Sequence, residues 1–204
     1  TALAKGGALL QWKEIPAAEL SGNAVPVGQG GFGAVFRVEW RGMLVAKKDI
    51  RTASAAEAVK AAKVLVREVR AMAAVRHPNV VTLLGVCVDP GKLAIVMEYA
   101  EKGTLRDRLD AHATEPVLAW RRFQLLFGVL NGMRRLHAHT PRPIVHADLK
   151  SLNVLVAIDH QTGAWVAKIT DFGLASGSGL STASQSRRSG GGTITHNAPE
   201  ILGD

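Results

Sequence analysis

Two short polar motifs in the second half of the chain carry groups suited to chemistry on a phosphorylated ligand. In the stretch 146–153, Asp148 can accept or orient a hydroxyl proton, and Lys150 can neutralise a transferring phosphoryl group. Asn153 in the same stretch and Asp171 in the later Asp-Phe-Gly tripeptide offer hard oxygen atoms of the kind that bind Mg²⁺. Each motif on its own is more typical of an ordinary turn, so its meaning depends on the rest of the chain.

A glycine-rich motif near the start could bind phosphate. The run Gly28-Gln29-Gly30-Gly31-Phe32-Gly33-Ala34-Val35 has the pattern G-x-G-x-x-G-x-V, and glycines let the backbone approach phosphate oxygens closely. A plain glycine-rich hairpin and a dinucleotide-binding turn share these glycines. The dinucleotide turn requires a helix immediately afterwards, whereas residues 35–40 form a β-type run. We therefore expect a hairpin that covers phosphates.

A lysine and a glutamate in the first half suggest a buried ion pair. Lys48 lies on a predicted strand and could bind α- and β-phosphate oxygens, whereas its neighbour Lys47 should face the opposite, solvated side. Glu68 lies among apolar residues of a predicted helix, where a cationic partner would justify its position. A surface lysine and an exposed glutamate remain the alternatives.

The elements that would position these groups change character along the chain. A strand-rich part runs to Tyr99, a mainly helical part follows from Glu101, and ligands commonly bind at the junction of two such lobes. Residues 176–192 have no periodicity and are predicted to form a mobile loop. The predicted strands are 25–27, 34–40, 43–50, 80–88, 93–99, 153–158 and 166–169, and the predicted helices are 53–75, 105–112 and 118–139. The apolar face predicted for the last helix consists of Leu125, Leu126, Val129, Met133 and Leu136.

Composition narrows the possible partners. The net charge of +8 comes from scattered basic doublets, and only 5% of residues are aromatic, which argues against a nucleic-acid partner. The single Cys87 lies in an apolar run and is expected to be a buried, inert thiol. No membrane span or signal peptide is predicted, which favours a cytoplasmic location and leaves open an anchor elsewhere.

Taken together and in order, these motifs resemble the eukaryotic protein kinase family over nearly the whole chain. The resemblance adds the runs His77-Pro78-Asn79-Val80-Val81 and Ala198-Pro199-Glu200. It implies a bilobal α+β fold with an N-terminal extension over 1–24, a β-rich N-lobe over 25–99 and a partial, mainly helical C-lobe over 100–204. Because the chain starts at Thr1 and stops soon after Glu200, we expect a segment of a longer protein that would be unstable alone.

The resemblance also implies roles for individual residues. Lys48 would pair with Glu68 and position ATP, Asp148 would be the catalytic base, and Asn153 and Asp171 would hold Mg²⁺. Met97 would be the gatekeeper, and residues 98–100 would be the hinge. Met72, Leu83, His146 and Phe172 would form a stacked spine. The full set expected to contact ATP is Gly28, Gln29, Gly30, Gly31, Phe32, Gly33, Val35, Ala46, Lys48, Met97, Glu98, Ala100 and Leu155.

The implied activity is phosphorylation of Ser and Thr hydroxyls in protein substrates. Lys150 is similar to the Ser/Thr-kinase form of the loop, and several further residues resemble the tyrosine-kinase-like branch, near Raf-like and mixed-lineage kinases. Ala147 stands where the family usually has Arg, so we expect activity to depend less on activation-loop phosphorylation. Ile194, His196 and Asn197 also depart from the family pattern and leave peptide specificity open. The alternative is a pseudokinase or truncated scaffold that binds nucleotide without turnover.

Overall fold

The computed structural model describes residues 12–30, 33–50, 55–89, 92–111 and 118–172, with only the backbone of residues 30, 55–64 and 92. The chain forms two compact units. The first contains residues 1–73 and 82–99, and the second contains residues 74–81 and 100–204. The first unit ends at Tyr99, and the segment Ala74–Val81 belongs to the second unit although it precedes part of the first in the chain. Residues 1–11, the predicted mobile loop 176–192 and the run 198–200 lie outside the described residues.

A five-stranded antiparallel sheet with the order β1-β2-β3-β5-β4 forms the core of the first unit. One helix, α1, accompanies it among the described residues, which agrees with the predicted α+β class. Strand β3 has the predicted bounds, and β2, β5 and α1 lie within two residues of their predicted positions. The elements are β1 (Leu20–Gly30), β2 (Gly33–Trp40), β3 (Met43–Ile50), α1 (Ala55–Ala74), β4 (Leu83–Asp89) and β5 (Lys92–Glu98).

Local sequence explains the tight connections of this sheet. Arg41 and Gly42 join β2 to β3 with φ angles of 51° and 77°, the left-handed conformation that two-residue hairpin turns require. Gly33 also has a left-handed φ of 153°, and a Cβ there would lie 1.7 Å from the Asp49 carbonyl oxygen. The end of the glycine motif is therefore a close backbone approach that only glycine permits.

Part of the segment before β1 packs against the sheet. The Ile15 amide donates to the Val86 carbonyl at 2.8 Å, and the Val86 amide donates to the Lys13 carbonyl at 3.0 Å. Ile15 is fully buried in a cluster with Val38, Trp40, Val45 and Val96. Strand β1 also begins at Leu20, five residues before the predicted start, because its first residues pair with the end of β2.

The prediction of one strand over residues 80–88 was wrong. Strand β4 begins only at Leu83, whereas Val80 and Val81 pair with Ile169 in the second unit. Both valines are buried. Residues 80–88 therefore form one apolar run whose first part pairs with β7 and whose later part pairs with β5. Apolar composition predicts burial here but does not distinguish which element provides it.

The second unit has a hairpin and two helices among its described residues. Thr104 caps the first helix with a capping box, in which its side chain accepts from the Asp107 amide and the Asp107 carboxylate accepts from the Thr104 amide. No described helix is long and apolar enough to cross a membrane. The elements are α2 (Leu105–Asp110), α3 (Ala119–His137), β6 (Val154–Ile158) and β7 (Trp165–Ile169).

The buried face of α3 differs from the predicted one at Leu126 and contains two glycines in addition. Leu126 is 57% exposed, and the buried residues of the helix are Leu125, Gly128, Gly132 and Leu136. A Cβ at Gly132 would lie 2.7 Å from the Asn79 carbonyl oxygen, so the absent side chain lets the helix pack against the segment 74–81. The two glycines therefore complete a buried stripe of helical spacing that a search for large apolar residues does not detect.

Candidate active site

The Lys48 ammonium and the Glu68 carboxylate form a buried ion pair in the first unit. Lys48 Nζ lies 2.7 Å from Glu68 Oε1, and the two side chains are 9% and 2% exposed. The predicted pair is thus confirmed, and the alternatives of a surface lysine and an exposed glutamate are excluded. Strand β3 and helix α1 supply the two partners, and each has buried apolar neighbours, including Leu65, Val69 and Met72.

The strand register places the predicted nucleotide contacts of the first unit side by side. Lys48 pairs with Val35 across β2 and β3, and Ala46 pairs with Met97 across β3 and β5. Ala46 and Met97 are 6% and 4% exposed, which is consistent with a tightly packed wall. The Glu98 carboxylate accepts from the Thr82 amide at 2.7 Å, and the Glu98 amide donates to the Thr82 carbonyl at 3.0 Å. This fixes the backbone where the predicted hinge begins.

Lys47 has the opposite orientation, as strand alternation requires. Its ammonium lies 3.1 Å from Asp49 and 5.7 Å from the centre of the Phe36 ring. The side chain is only 23% exposed, so Lys47 is a partly covered, paired residue rather than the fully solvated lysine we expected. Lys47 nonetheless lies apart from the Lys48–Glu68 pair and provides a matched control for it.

A compact polar network follows α3 in the second unit. Lys150 Nζ lies 2.9 Å from the Asp148 carboxylate, with side-chain exposures of 19% and 12%. The Asn153 amide group donates to the Asp148 carbonyl at 2.8 Å and to its carboxylate at 3.0 Å. The three residues predicted from the stretch 146–153 therefore lie together, and a carboxylate is held next to an ammonium at low exposure.

Backbone hydrogen bonds hold this network in place. The Asn153 amide donates to the Lys150 carbonyl at 2.9 Å, and the Thr170 amide donates to the Asn153 carbonyl at 3.0 Å. Ala147 and Asp171 have φ angles of 64° and 67°, an uncommon conformation for residues with a Cβ. Such conformations persist only where the surroundings determine them, and they cluster at functional sites.

His146 connects the loop to the end of β7. Its Nε2 atom lies 2.9 Å from the Thr170 carbonyl, and the Asp148 amide donates to its Nδ1 atom at 3.3 Å. Burial lowers the pKa of His146 below its ordinary value and outweighs the opposing effects of Thr170, Asp171 and Asp148. A neutral ring that donates through Nε2 and accepts through Nδ1 satisfies both contacts. The ring centre lies 5.1 Å from that of Phe172, so these two predicted spine residues are in contact.

The oxygen donors predicted for Mg²⁺ lie at neighbouring ends of the β6–β7 hairpin. Asn153 precedes β6 and Asp171 follows β7, and Val154 pairs with Ile169 between them. Because the Asn153 nitrogen faces Asp148, its oxygen is the end suited to a cation. No group of three or more His, Cys, Asp or Glu that could hold a metal occurs in the described part of the chain. Mg²⁺ is commonly held by only one or two protein oxygen ligands, so the side-chain oxygens of Asn153 and Asp171 fit this ion.

Some residues predicted to contact the nucleotide lie in the second unit, and others lie outside the described residues. Leu155 forms an isolated bridge with Thr104, and Ala100 is 6% exposed, so both belong to the packed part of the second unit. Gly31, Phe32 and Gly173 lie outside the described residues. One supporting residue had no assigned role. Asn79 donates to the Ala167 carbonyl at 2.9 Å, and the proline before it was the available signal of a fixed turn.

The comparisons with known proteins match these features. The family model "Protein kinase domain" matches residues 23–204. The chain belongs to the protein kinase family. The predicted membership and the α+β kinase fold are thereby confirmed.

Curated relatives of this kinase have similar sequences over most of the chain. It is 38% identical over 195 residues to human "Mitogen-activated protein kinase kinase kinase 10", covering 93% of this chain and 19% of the relative. It is 37% identical over 158 residues to "Probable serine/threonine-protein kinase pats1" of Dictyostelium discoideum, covering 72% and 5%. It is 35% identical over 185 residues to human "Mitogen-activated protein kinase kinase kinase 11", covering 86% and 20%. The kinase spans a fifth or less of the length of these relatives.

Proposed function

We propose that this kinase transfers the γ-phosphoryl group of ATP to Ser or Thr hydroxyls of protein substrates. The observation that carries the proposal is the Asp148–Lys150–Asn153 network, which holds a carboxylate next to an ammonium and the Asn153 side-chain amide. Relatives named as serine/threonine-protein kinases support the substrate class. The pairing of Asp148 with Lys150 in the loop agrees with it.

Asp148 would orient the substrate hydroxyl and accept its proton. The hydroxyl oxygen then forms a bond to the γ-phosphorus as the bond between that phosphorus and the bridging oxygen breaks, and ADP leaves with the electron pair. Lys150 would offset the negative charge on the transferring group. Little covalent chemistry is left to the protein, so positioning and charge compensation account for the rate.

Most of the residues that would bind the nucleotide belong to the first unit. Lys48, oriented by Glu68, would bind α- and β-phosphate oxygens. The glycine motif would contribute backbone amides, since its glycines leave space where side chains would otherwise lie. Val35, Ala46 and Leu155 would contact the adenine ring, and the backbone of residues 98–100 would form hydrogen bonds with it.

Asn153 and Asp171 would hold Mg²⁺. When bound, the ion would offset negative charge on the phosphate oxygens of the nucleotide. The contribution of the chain is to place two oxygen donors at adjacent ends of one hairpin. The hydrogen bond from the Asn153 nitrogen to Asp148 would orient both the metal ligand and the base.

The second candidate, a pseudokinase that binds nucleotide without turnover, is less well supported. Loss of catalysis commonly follows loss of the lysine, the loop aspartate or a metal ligand, and Lys48, Asp148, Asn153 and Asp171 are all present. Lys48 contacts Glu68 in the first unit, and Asp148 contacts Lys150 and Asn153 in the second.

A phosphotransfer assay with matched lysine variants tests the proposal. The protein in its full natural length is incubated with γ-labelled ATP, Mg²⁺ and a peptide library containing Ser, Thr and Tyr. We expect labelled phosphoserine and phosphothreonine, and we expect Lys48→Met to lower kcat/KM about 10²–10³-fold, the typical effect of removing one electrostatic contact. Lys47→Met should change it by less than about threefold. Nucleotide binding without any transfer would favour the pseudokinase instead.

A further inference from the structure

Five basic residues of the second unit gather where α3, β7 and the segment 74–81 meet. Arg134 and Arg135 lie in the last turn of α3, Lys168 lies on β7, and Arg76 and His77 belong to the segment 74–81. We refer to these five residues as the basic patch. Lys168 Nζ donates to the Pro78 carbonyl at 3.1 Å, which links β7 to the segment directly. Arg76, Arg134 and Arg135 are exposed, and His77 and Lys168 are half-buried.

The patch is rigid because Asn79 connects all three elements. Its side-chain nitrogen donates to the Ala167 carbonyl at 2.9 Å, and its carbonyl accepts from the Ile169 amide at 2.9 Å. Gly128 and Gly132 of α3 pack against the same asparagine. Arg135 lies three residues after Gly132 and so continues this stripe towards the segment. The backbone positions that carry the cations are therefore fixed before any partner binds.

No carboxylate balances the patch from the elements that build it. Residues 117–147, which include all of α3, contain five Arg and neither Asp nor Glu. The segment 74–81 and strand β7 also lack both residues. None of the ion pairs among the described residues involves Arg76, Arg134 or Arg135, whereas Arg106 and Arg41 each have an acidic partner.

The environment of His77 supports this concentration of charge. The pKa of His77 lies below its ordinary value, first because of burial and then because Arg135, Arg134 and Lys168 repel a proton. Its Nδ1 atom accepts from the Asn79 amide at 3.1 Å, which is compatible with a neutral ring. Three cations thus act on one imidazole from two different elements.

We propose that the basic patch is a docking surface for an acidic protein segment rich in Asp and Glu. Guanidinium groups bind carboxylates with two parallel hydrogen bonds, and three exposed Arg side chains offer such sites. For the three arginines, the negative charge that α3, β7 and the segment 74–81 lack would come from the partner. The inference does not depend on the proposed phosphotransfer, because none of the five residues has a role in it.

The features of the patch favour a protein partner over other anionic macromolecules. Single-stranded nucleic acids are bound by aromatic platforms in addition to cations, and the patch contains no aromatic ring other than the His77 imidazole. Anionic membranes bind flexible polybasic stretches or amphipathic helices with an apolar side in the lipid. Here the cations are fixed on three elements and differ in burial, which suits a partner that presents carboxylates at defined positions.

Fluorescence anisotropy with a labelled peptide tests the proposal on the intact chain. The probe is a short peptide in which Glu and Asp alternate with Ser. We expect Arg134→Gln/Arg135→Gln to weaken binding at least about tenfold, equivalent to the loss of about one good charge-assisted contact. Arg106→Gln/Arg122→Gln removes the same charge elsewhere in the unit and should change binding by less than about twofold. Equal weakening by both variants would show that net charge alone binds the peptide and would overturn the proposal.

Further probes and variants make the result decisive. If an oligothymidylate or vesicles of phosphatidylserine and phosphatidylcholine bind more tightly than the peptide through the same two arginines, the partner class is wrong. If the double variant does not fold, Arg76→Gln, which alters an exposed residue, should weaken peptide binding about threefold, and no change would contradict the proposal.

The peptide should also raise the His77 pKa measured by NMR, since a bound anion offsets the repulsion from the cations. An unchanged His77 pKa would place the peptide elsewhere.

Discussion

The two units of this kinase hold their charged site residues in different ways. In the first unit, the side chains of Lys48 and Glu68 form a buried ion pair, with 2.7 Å between Nζ and Oε1. In the second, Asp148, Lys150 and Asn153 form a network that main-chain hydrogen bonds hold on both sides. The first arrangement depends on two side chains remaining together, whereas the second depends on the path of the backbone.

This difference affects how much folding stability each set of charged residues costs. Burying a carboxylate and an ammonium costs more solvation energy than a single contact recovers, so an ion pair of this kind is weak evidence for stability. Its retention in the sheet core agrees with a functional role for Lys48. The loop network keeps its charges at 12–19% exposure, and the Asp148 carboxylate contacts both the Lys150 ammonium and the Asn153 side chain, so burial of these charges costs less stability.

The largest expected effect is on the buried pair. Glu68→Leu removes the carboxylate that lies 2.7 Å from the buried Lys48 ammonium and should lower the free energy of unfolding by about 3–5 kcal/mol. Lys48→Met/Glu68→Leu removes both charges and should recover most of that loss while remaining inactive. Urea titration of wild type, Glu68→Leu and the double variant measures the three free energies of unfolding. A double variant as unstable as Glu68→Leu would mean that the pair itself stabilises the fold.

A smaller effect on the free energy of unfolding is expected from the Asp148–Lys150–Asn153 network. Asn153→Ala removes two hydrogen bonds to Asp148 but leaves the backbone bonds of residue 153, so we expect a loss of about 1–3 kcal/mol. Asn131→Ala, at a half-buried position of α3, should change the unfolding free energy by less than about 0.5 kcal/mol. Thermal unfolding measured by circular dichroism compares the two. A loss at Asn153 as large as that of Glu68→Leu would remove the contrast between the units.

The smallest effect concerns the pH dependence of the second unit. The pKa of His146 is lowered by burial, so the unfolded chain binds its proton more readily than the folded one. The resulting contribution to stability is fully present above pH 6.5, the ordinary value, and is lost as the pH falls below it towards the lowered pKa. His77 acts in the same direction. Chemical denaturation at pH 6.5 and at successively lower pH values should show that the free energy of unfolding depends less on pH for His146→Gln than for wild type. The same pH dependence in both proteins would exclude His146 as a contributor.

Much of this architecture could be predicted because local chemistry determines it. Strand β3 has its predicted bounds because Arg41-Gly42 fixes one end, and the Lys48–Glu68 pair followed from a glutamate among apolar neighbours. The buried Cys87 was also predicted, and burial raises the pKa of its thiol. In each case the signal lies within a few residues of the feature.

The predictions failed where a distant partner decides the outcome. Val80 and Val81 continue an apolar run, yet they pair with β7 about ninety residues later. The buried face of α3 is set by the approach of Asn79 to two glycines, so Leu126 was assigned to the wrong side. The left-handed backbone at Ala147 and Asp171 had no sequence signal either, because neither residue is glycine.

The central claim is that Asp148 acts on the substrate hydroxyl, and a single-turnover phosphotransfer measurement tests it most directly. Asp148→Asn in the full-length protein should lower the transfer rate about 10²–10⁴-fold, the range for a general base, with ATP affinity little changed. Asp159→Asn, which makes the same change at the exposed β6–β7 turn, should transfer at the wild-type rate. A rate for Asp148→Asn equal to that of Asp159→Asn would contradict the assignment of the base.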